Sequence, residues 1–174
     1  MTVIYPEATP VQGNTKVVAV LTIADPEAPD LSSEIGAVTS LDLSCFLRDF
    51  NPEMQSNSGS APSRLCTTVQ LPVEGNTQFQ AIEIRYVYDP QAADSTDENK
   101  AKALLLRGTE FYAVVRKGLD ARNTALAVGQ YVEVWKFRAG RQNFVRSGED
   151  EFSEYEVQQL LYPLTEPVYG QIVA

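Results

Sequence analysis

The stretch "ADSTDENKAKALLLRGTEFYAVVRKG", residues 93–118, reads as one capped helix running into a strand, set in a chain whose other segments look like strands. Ser95 suits the N-cap: its hydroxyl can accept from the free backbone N–H three residues on, and Glu98 sits where it can reach back to complete a capping box. Asp97 and Glu98 lie at the positive end of the helix dipole and Arg107 at the negative end, with Gly108 placed for the left-handed turn that stops the helix. Ala101, Leu104 and Leu105, at spacings of three and four, form a narrow apolar stripe. That stripe predicts about three turns lying with one side on an apolar surface.

The surface has to come from the strands. "KVVAVLTI" (16–23) is a near-continuous β-branched run, as in a buried strand, and "VTSLDLSCFL" alternates Leu41, Leu43, Cys45 and Leu47 against Ser40, Asp42 and Ser44. Residues 48–64, "RDFNPEMQSNSGSAPSR", are dominated by Asn, Ser, Gly and Pro and predict a long loop that is no core element. "LCTTVQL" (65–71) and "QFQAIEIRYVY" (78–88) resume strand patterning and read as a hairpin joined through "VEGN". In the second, Ile82, Ile84 and Tyr86 share the core face, and Glu83 and Arg85 the other. After the helix come "TEFYAVVRKG", "QYVEVWKFR", "NFVRS" and "SEYEVQQLLYP", with "AGRQ" as a hairpin turn, and the tail "TEPVYGQIVA" adds one more strand. The sum is a mainly β fold: an antiparallel β-sandwich or partly open barrel with one flanking α-helix closing an open side. No repeat or long linker divides the 174 residues, so one domain is expected.

Composition narrows the chemistry. With no histidine, Ser-His-Asp and Cys-His catalysis are excluded, and the commonest general base and metal ligand are missing. The dinucleotide, P-loop, zincin and nucleophile-elbow signatures are also missing. Two carboxylate groups remain, Asp94, Asp97 and Glu98, and Glu149, Asp150, Glu151 and Glu154. They suit a cap and a solvated loop better than a glycosidase pair, and neither has EF-hand spacing. Cys45 and Cys66 have no CxxC partner and are expected to be buried free thiols; no metal or cofactor is expected. No apolar run approaches membrane-spanning length and no leader pattern opens the chain, so a soluble protein made in a cytoplasm is expected. The formal charge is −9, from 23 acidic and 14 basic residues, which opposes tight DNA wrapping. The signs alternate along the chain: residues 1–47 hold six acids and one base, 111–146 two acids and seven bases, and 147–174 six acids and no base. Such alternation suits head-to-tail association of identical subunits.

This arrangement resembles the major tail tube proteins of long-tailed bacteriophages. The similarity lies in the early strand "KVVAVLTI", the polar loop 48–64, the single helix "STDENKAKALLL", the returning strands around "YVEVWKF" and the acidic, aromatic segment 147–174. The resemblance implies a structural, non-enzymatic virion protein of the tail, made in the bacterial cytoplasm. It implies self-assembly into stacked hexameric rings through which DNA passes without tight binding, alongside tape measure and terminator proteins, with no membrane partner. It further implies that the N-terminal arm 1–15, the loop 48–64 and the C-terminal segment make contacts between subunits and rings. Those roles fall to Tyr5, Arg48, Asn51, Met54, Gln55, Arg64, Tyr155 and Tyr169, with Asp42, Glu83 and Arg85 facing an acidic lumen. The alternatives are a β-sandwich binding module with Tyr86, Tyr88, Tyr131 and Trp135 as a stacking platform for carbohydrate or protein, or another virion component such as a tail terminator or head decoration protein.

Overall fold

The computed structural model describes residues 8–61, 72–149 and 151–173. The fold is mainly β and antiparallel. In chain order the elements are β1 (Thr15–Val20), a π-helical turn (Leu31–Ile35), β2 (Leu41–Asp42), β3 (Met54–Ser60), β4 (Pro72–Phe79), β5 (Ile82–Val87), α1 (Lys100–Leu104), β6 (Glu110–Lys117), β7 (Tyr131–Arg146), β8 (Tyr155–Pro163) and β9 (Val168–Gln171). One sheet runs β2-β1-β6-β7-β8-β5, with β9 beside β8 along the same edge of β7; β3 and β4 form a separate two-stranded arm.

Alternation along the strands sends side chains to two cores. On one face Val17, Ala19, Ile84, Tyr86, Phe111, Ala113, Val115, Trp135, Phe137, Val157 and Leu161 make a cluster around which the sheet curls. On the other, Val18, Val20, Val114, Val132 and Val134 lie under Ile23, Ile35 and Ile172. The first cluster is closed by the segment 41–48. At one end it pairs with β1 and Leu43 donates to Val17 O (2.8 Å); at the other Arg48 N–H donates to Arg85 O (2.9 Å) and Val87 N–H to Phe46 O (3.1 Å). This strap satisfies backbone groups on two strand edges that would otherwise stay open.

The helix is shorter than its sequence promises. A 3₁₀ turn over Asp97–Asn99 leads into a five-residue α1, and the N-cap of the turn is Thr96 with no side-chain cap bond, so the Ser95–Glu98 capping box does not form. Asn99 takes over the ordering of this corner: fully buried, it accepts from Asp89 N–H (3.0 Å) and donates to the carbonyls of Asp89 and Ala92 (both 2.9 Å). The stripe itself is present. Ala101 and Leu105 are fully buried in the first cluster, with Leu104 packed beside them. Gly108 adopts φ +88°, the left-handed conformation expected of it, but in a turn beyond the helix, which ends at Leu104 with Leu105 as its C-cap.

Other expectations give way. The polar segment 48–64 is not one loop, because Met54–Ser60 is strand β3 paired with β4, although every residue of β3 is exposed. "VEGN" lies inside β4 rather than in a turn, and "AGRQ" lies inside the 16-residue β7, where the β7–β8 register shifts between Ala139 and Gln142. A bulge absorbs residues that the sequence presents as a turn. "VTSLDLSCFL" keeps only Leu41–Asp42 as strand; its remaining residues form the strap, which leaves Cys45 exposed rather than buried. The expected strand 65–71 and Cys66 lie outside the described residues.

Candidate functional site

Two features stand out on the surface. The first is the arm. Among the described residues β3 and β4 pair only with each other, through a bulge between Ser56 and Ser58, and Pro72–Gln78 are exposed throughout. Seven strand residues span roughly 23 Å at ~3.3 Å each. The base is anchored: Phe50 packs edge-on to Phe137 (centroids 6.0 Å apart), Phe79 rests on the first core, and Gln80 donates to Gln55 Oε1 (2.7 Å). An isolated two-stranded hairpin is marginal in water, and among the described residues no strand pairs with either outer edge of this one.

The second feature is the exposed part of the sheet face opposite the first core. Here Glu83 and Arg85 on β5 pair at 3.1 Å, and Glu110 on β6 meets Arg138 (2.6 Å) and Lys136 (3.7 Å) on β7. Asp42, opposite Val18 and so on the same face, pairs with Lys16 at 2.8 Å. Glu156 is buried and holds Arg48 Nε at 2.8 Å, while the same guanidinium meets Glu154. Each carboxylate thus has a cation of its own chain. Burial alone would raise the Asp42 carboxyl, but hydrogen bonds from Lys16 and Ser44 hold it below the ordinary range. Glu83 is lowered by a hydrogen bond from Gln158 and then by Arg85, and Glu110 by Arg138.

A family model described as phage tail tube protein matches residues 2–174 of this sequence. The chain belongs to that family. No match is found among curated proteins.

The tail tube subunit scatters the residues that its sequence singled out. Asp42 and Glu83 with Arg85 share a face, yet β2 and β5 stand at opposite ends of the strand order and their ion pairs are separate. Arg48 is spent on Glu154 and Glu156. Asn51 donates to Glu53 Oε1 (2.7 Å), and Met54 and Gln55 open the arm. Tyr155 is half-exposed and edge-on to Tyr88 (6.4 Å), and Tyr169 is 69% exposed on β9, next to Tyr131 in a shallow cleft. Tyr5 and Arg64 lie outside the described residues. The stacking platform is overturned: Tyr86 and Trp135 are core residues, 0% and 3% exposed.

Three inward polar side chains escaped the sequence reading, Arg116 and Gln159 buried and Gln142 half-buried. Arg116 is 1% exposed and donates to four carbonyls, those of Leu119, Asp120, Thr124 and Ala125, at 2.7–3.1 Å, so that it fixes the loop 119–125. Burial pushes its pKa down, with Asp120 and Asp42 opposing. Gln142 and Gln159 dock the end of α1: Gln159 Nε2 donates to Leu105 O (2.7 Å) and Gly140 O (2.9 Å), and Gln142 Nε2 donates to Lys102 O (2.8 Å). Tyr86 OH joins them, donating to Gln159 Oε1 (2.9 Å) and accepting from Gln142 (3.0 Å). The only signal in the sequence was a polar residue at the inward parity of a strand. No group of metal-ligating side chains, and no helix long and apolar enough to cross a membrane, occurs among the described residues.

Proposed function

We propose that this subunit self-assembles into hexameric rings that stack into the tail tube and deliver phage DNA through the lumen. The observation that carries the reading is the arm: a polar hairpin roughly 23 Å long that stands off its own domain on a base anchored by Phe50 and Phe79. Among the described residues nothing of its own chain covers it, and that suits contact with another molecule. A second observation concerns the sheet. Beyond Arg141, β7 has β8 on one side and no described strand on the other, an open edge flanked by Arg141 and Arg146 that suits lateral pairing with a neighbouring copy.

In this reading Arg48, Asn51, Met54, Gln55, Tyr155 and Tyr169, with Tyr5 and Arg64, contribute to contacts between subunits and rings. Asp42, Glu83 and Arg85 line the channel side. The protein works as a structural element and not as an enzyme, in the company of the tape measure and terminator proteins of the tail. Deleting residues 55–78 and joining the ends with a short Gly-Asn turn tests it. The truncated protein should keep the circular dichroism and unfolding cooperativity of the intact one, because closing or opening a loop changes stability by only about 0.6 kcal/mol per doubling of length. It should fail to form tubes under the electron microscope. Normal tubes from the truncated protein would refute the reading.

A further inference from the structure

Between Cys45 on the strap and the corner before α1 lies a cleft of about 570 Å³, floored by Phe46, Tyr88 and Tyr155. Its rim carries Asp89 and Glu98, both exposed and neither in an ion pair among the described residues. Glu154, also on the rim, is committed to Arg48. An apolar floor under two uncompensated carboxylates fits a short apolar segment that brings one cation.

The connection at the far end of the arm has that chemistry in its sequence. Ser60 pairs with Pro72, so residues 61–71, "APSRLCTTVQL", connect the far ends of β3 and β4. Arg64 is the only cation between Arg48 and Arg85, with Leu65 next to it and Pro62 two residues before. We propose that the cleft of one subunit receives the arm segment 61–71 of another copy, Leu65 seating on the aromatic floor and Arg64 meeting Asp89 and Glu98. The inference rests on the arm being an assembly element, and it adds the receiving site. The contact is heterologous: each copy presents both the arm and the cleft, so it propagates from subunit to subunit.

The chain's two cysteines fall on the two halves of this contact, Cys45 on the cleft and Cys66 in the segment. A short bis-maleimide is therefore a direct probe, each thiol adding across one maleimide double bond with no oxidant needed. Assembled wild-type protein should give a ladder of covalent multimers on denaturing gels, whereas Cys45→Ser or Cys66→Ser should each reduce it to single chains. Glu98→Lys should raise the concentration needed for assembly up to about tenfold, and Arg64→Glu placed on top should restore part of the loss, as expected for a charge pair exchanged in sign. Tubes that form normally but yield no ladder, or only a cross-link within one chain, would overturn the docking site and leave the assembly reading standing. Dimers that persist in a single-cysteine variant would instead indicate a symmetric contact and also overturn it. Protein that never assembles, by microscopy, would refute both.

Discussion

Gln159→Leu tests whether the helix is held over the first core by polar contacts. The side chain is 1% exposed and makes three hydrogen bonds: one accepted from Tyr86 OH and two donated, to Leu105 O and Gly140 O. Leucine removes all three. Leu105 O keeps the longer 3.2 Å contact from Gln142, so Gly140 O and the Tyr86 hydroxyl proton bear most of the loss. Each orphaned buried group costs about 1–3 kcal/mol, and the apolar surface that leucine adds returns about 1–2 kcal/mol. The net expectation is a loss of about 2–4 kcal/mol, a large part of the stability of a domain of this size, and a fall in Tm of about 5–15 °C. Urea unfolding followed by far-ultraviolet circular dichroism reads it. Gln158→Leu is the control, one residue along and on the opposite face, and should change stability by no more than about 1 kcal/mol. Equal effects of the two substitutions, or a Gln159→Leu protein within about 0.5 kcal/mol of wild type, would refute the assignment of this network.

Ile84→Asp should unfold the subunit, with a cost above about 4 kcal/mol, because Ile84 is 2% exposed in the first core and the aspartate would lose its packing while adding a charge with no partner; a soluble, cooperatively folded variant would refute the register of β5. Asp42, Glu83 and Glu110 are all held below their ordinary values of 3.8, 4.5 and 4.5, so the stability they contribute is present above those values and is lost as pH falls through the lower folded ones. The urea midpoint of the unassembled subunit should therefore change little from these groups between pH 7 and about 5 and drop below 4.5; a midpoint that rises on acidification would contradict the pairing.

Legibility followed the range of the interactions. The register of β5 was readable because a one-residue slip would bury Glu83 and Arg85 and expose Ile84 and Tyr86. The stripe Ala101, Leu104 and Leu105 was readable for the same local reason, as was the left-handed turn at Gly108, although α1 ends earlier with Leu105 as its C-cap. The length of α1 was not, because Asn99 bonds to backbone groups of residues 89 and 92 and fixes the corner from outside the helix. β3 was hidden by composition: "MQSNSGS" has no apolar alternation, since neither of its faces is buried. The turn expected at "AGRQ" failed because β7 continues through a bulge where Gly140 is buried and a Cβ would stand 2.7 Å from Leu160 O, a demand that exists only once β8 is alongside. The strap 41–48 alternates like a strand but serves two edges in turn, which no single-strand pattern encodes. Within the candidate site, which residues are exposed was largely legible and which cation each carboxylate would take was not.

That pairing changes what the net charge implies for DNA. A total of −9 suggests a channel that repels phosphate by like charge. The exposed sheet face follows another rule: Asp42, Glu83 and Glu110 are neutralised by Lys16, Arg85, and Arg138 with Lys136, whereas Asp25, Glu74 and Glu166, which make no ion pair among the described residues, lie outside the strands of this sheet. On the proposed channel side, indifference to DNA then comes from compensation, and it fails when one partner is removed. Glu110→Gln with Glu83→Gln frees Arg85, Lys136 and Arg138 without enlarging any side chain. Surface substitutions of this kind change folding stability by about 0.5 kcal/mol or less apiece, so tubes should still form. The variant tubes should retain linear duplex DNA at low salt and release it steeply as salt rises, with a log–log slope of about −0.9 for each phosphate neutralised, whereas wild-type tubes should retain none. Wild-type tubes that hold DNA as strongly as the variant would show that this face does not meet DNA, or that its ion pairs do not screen it.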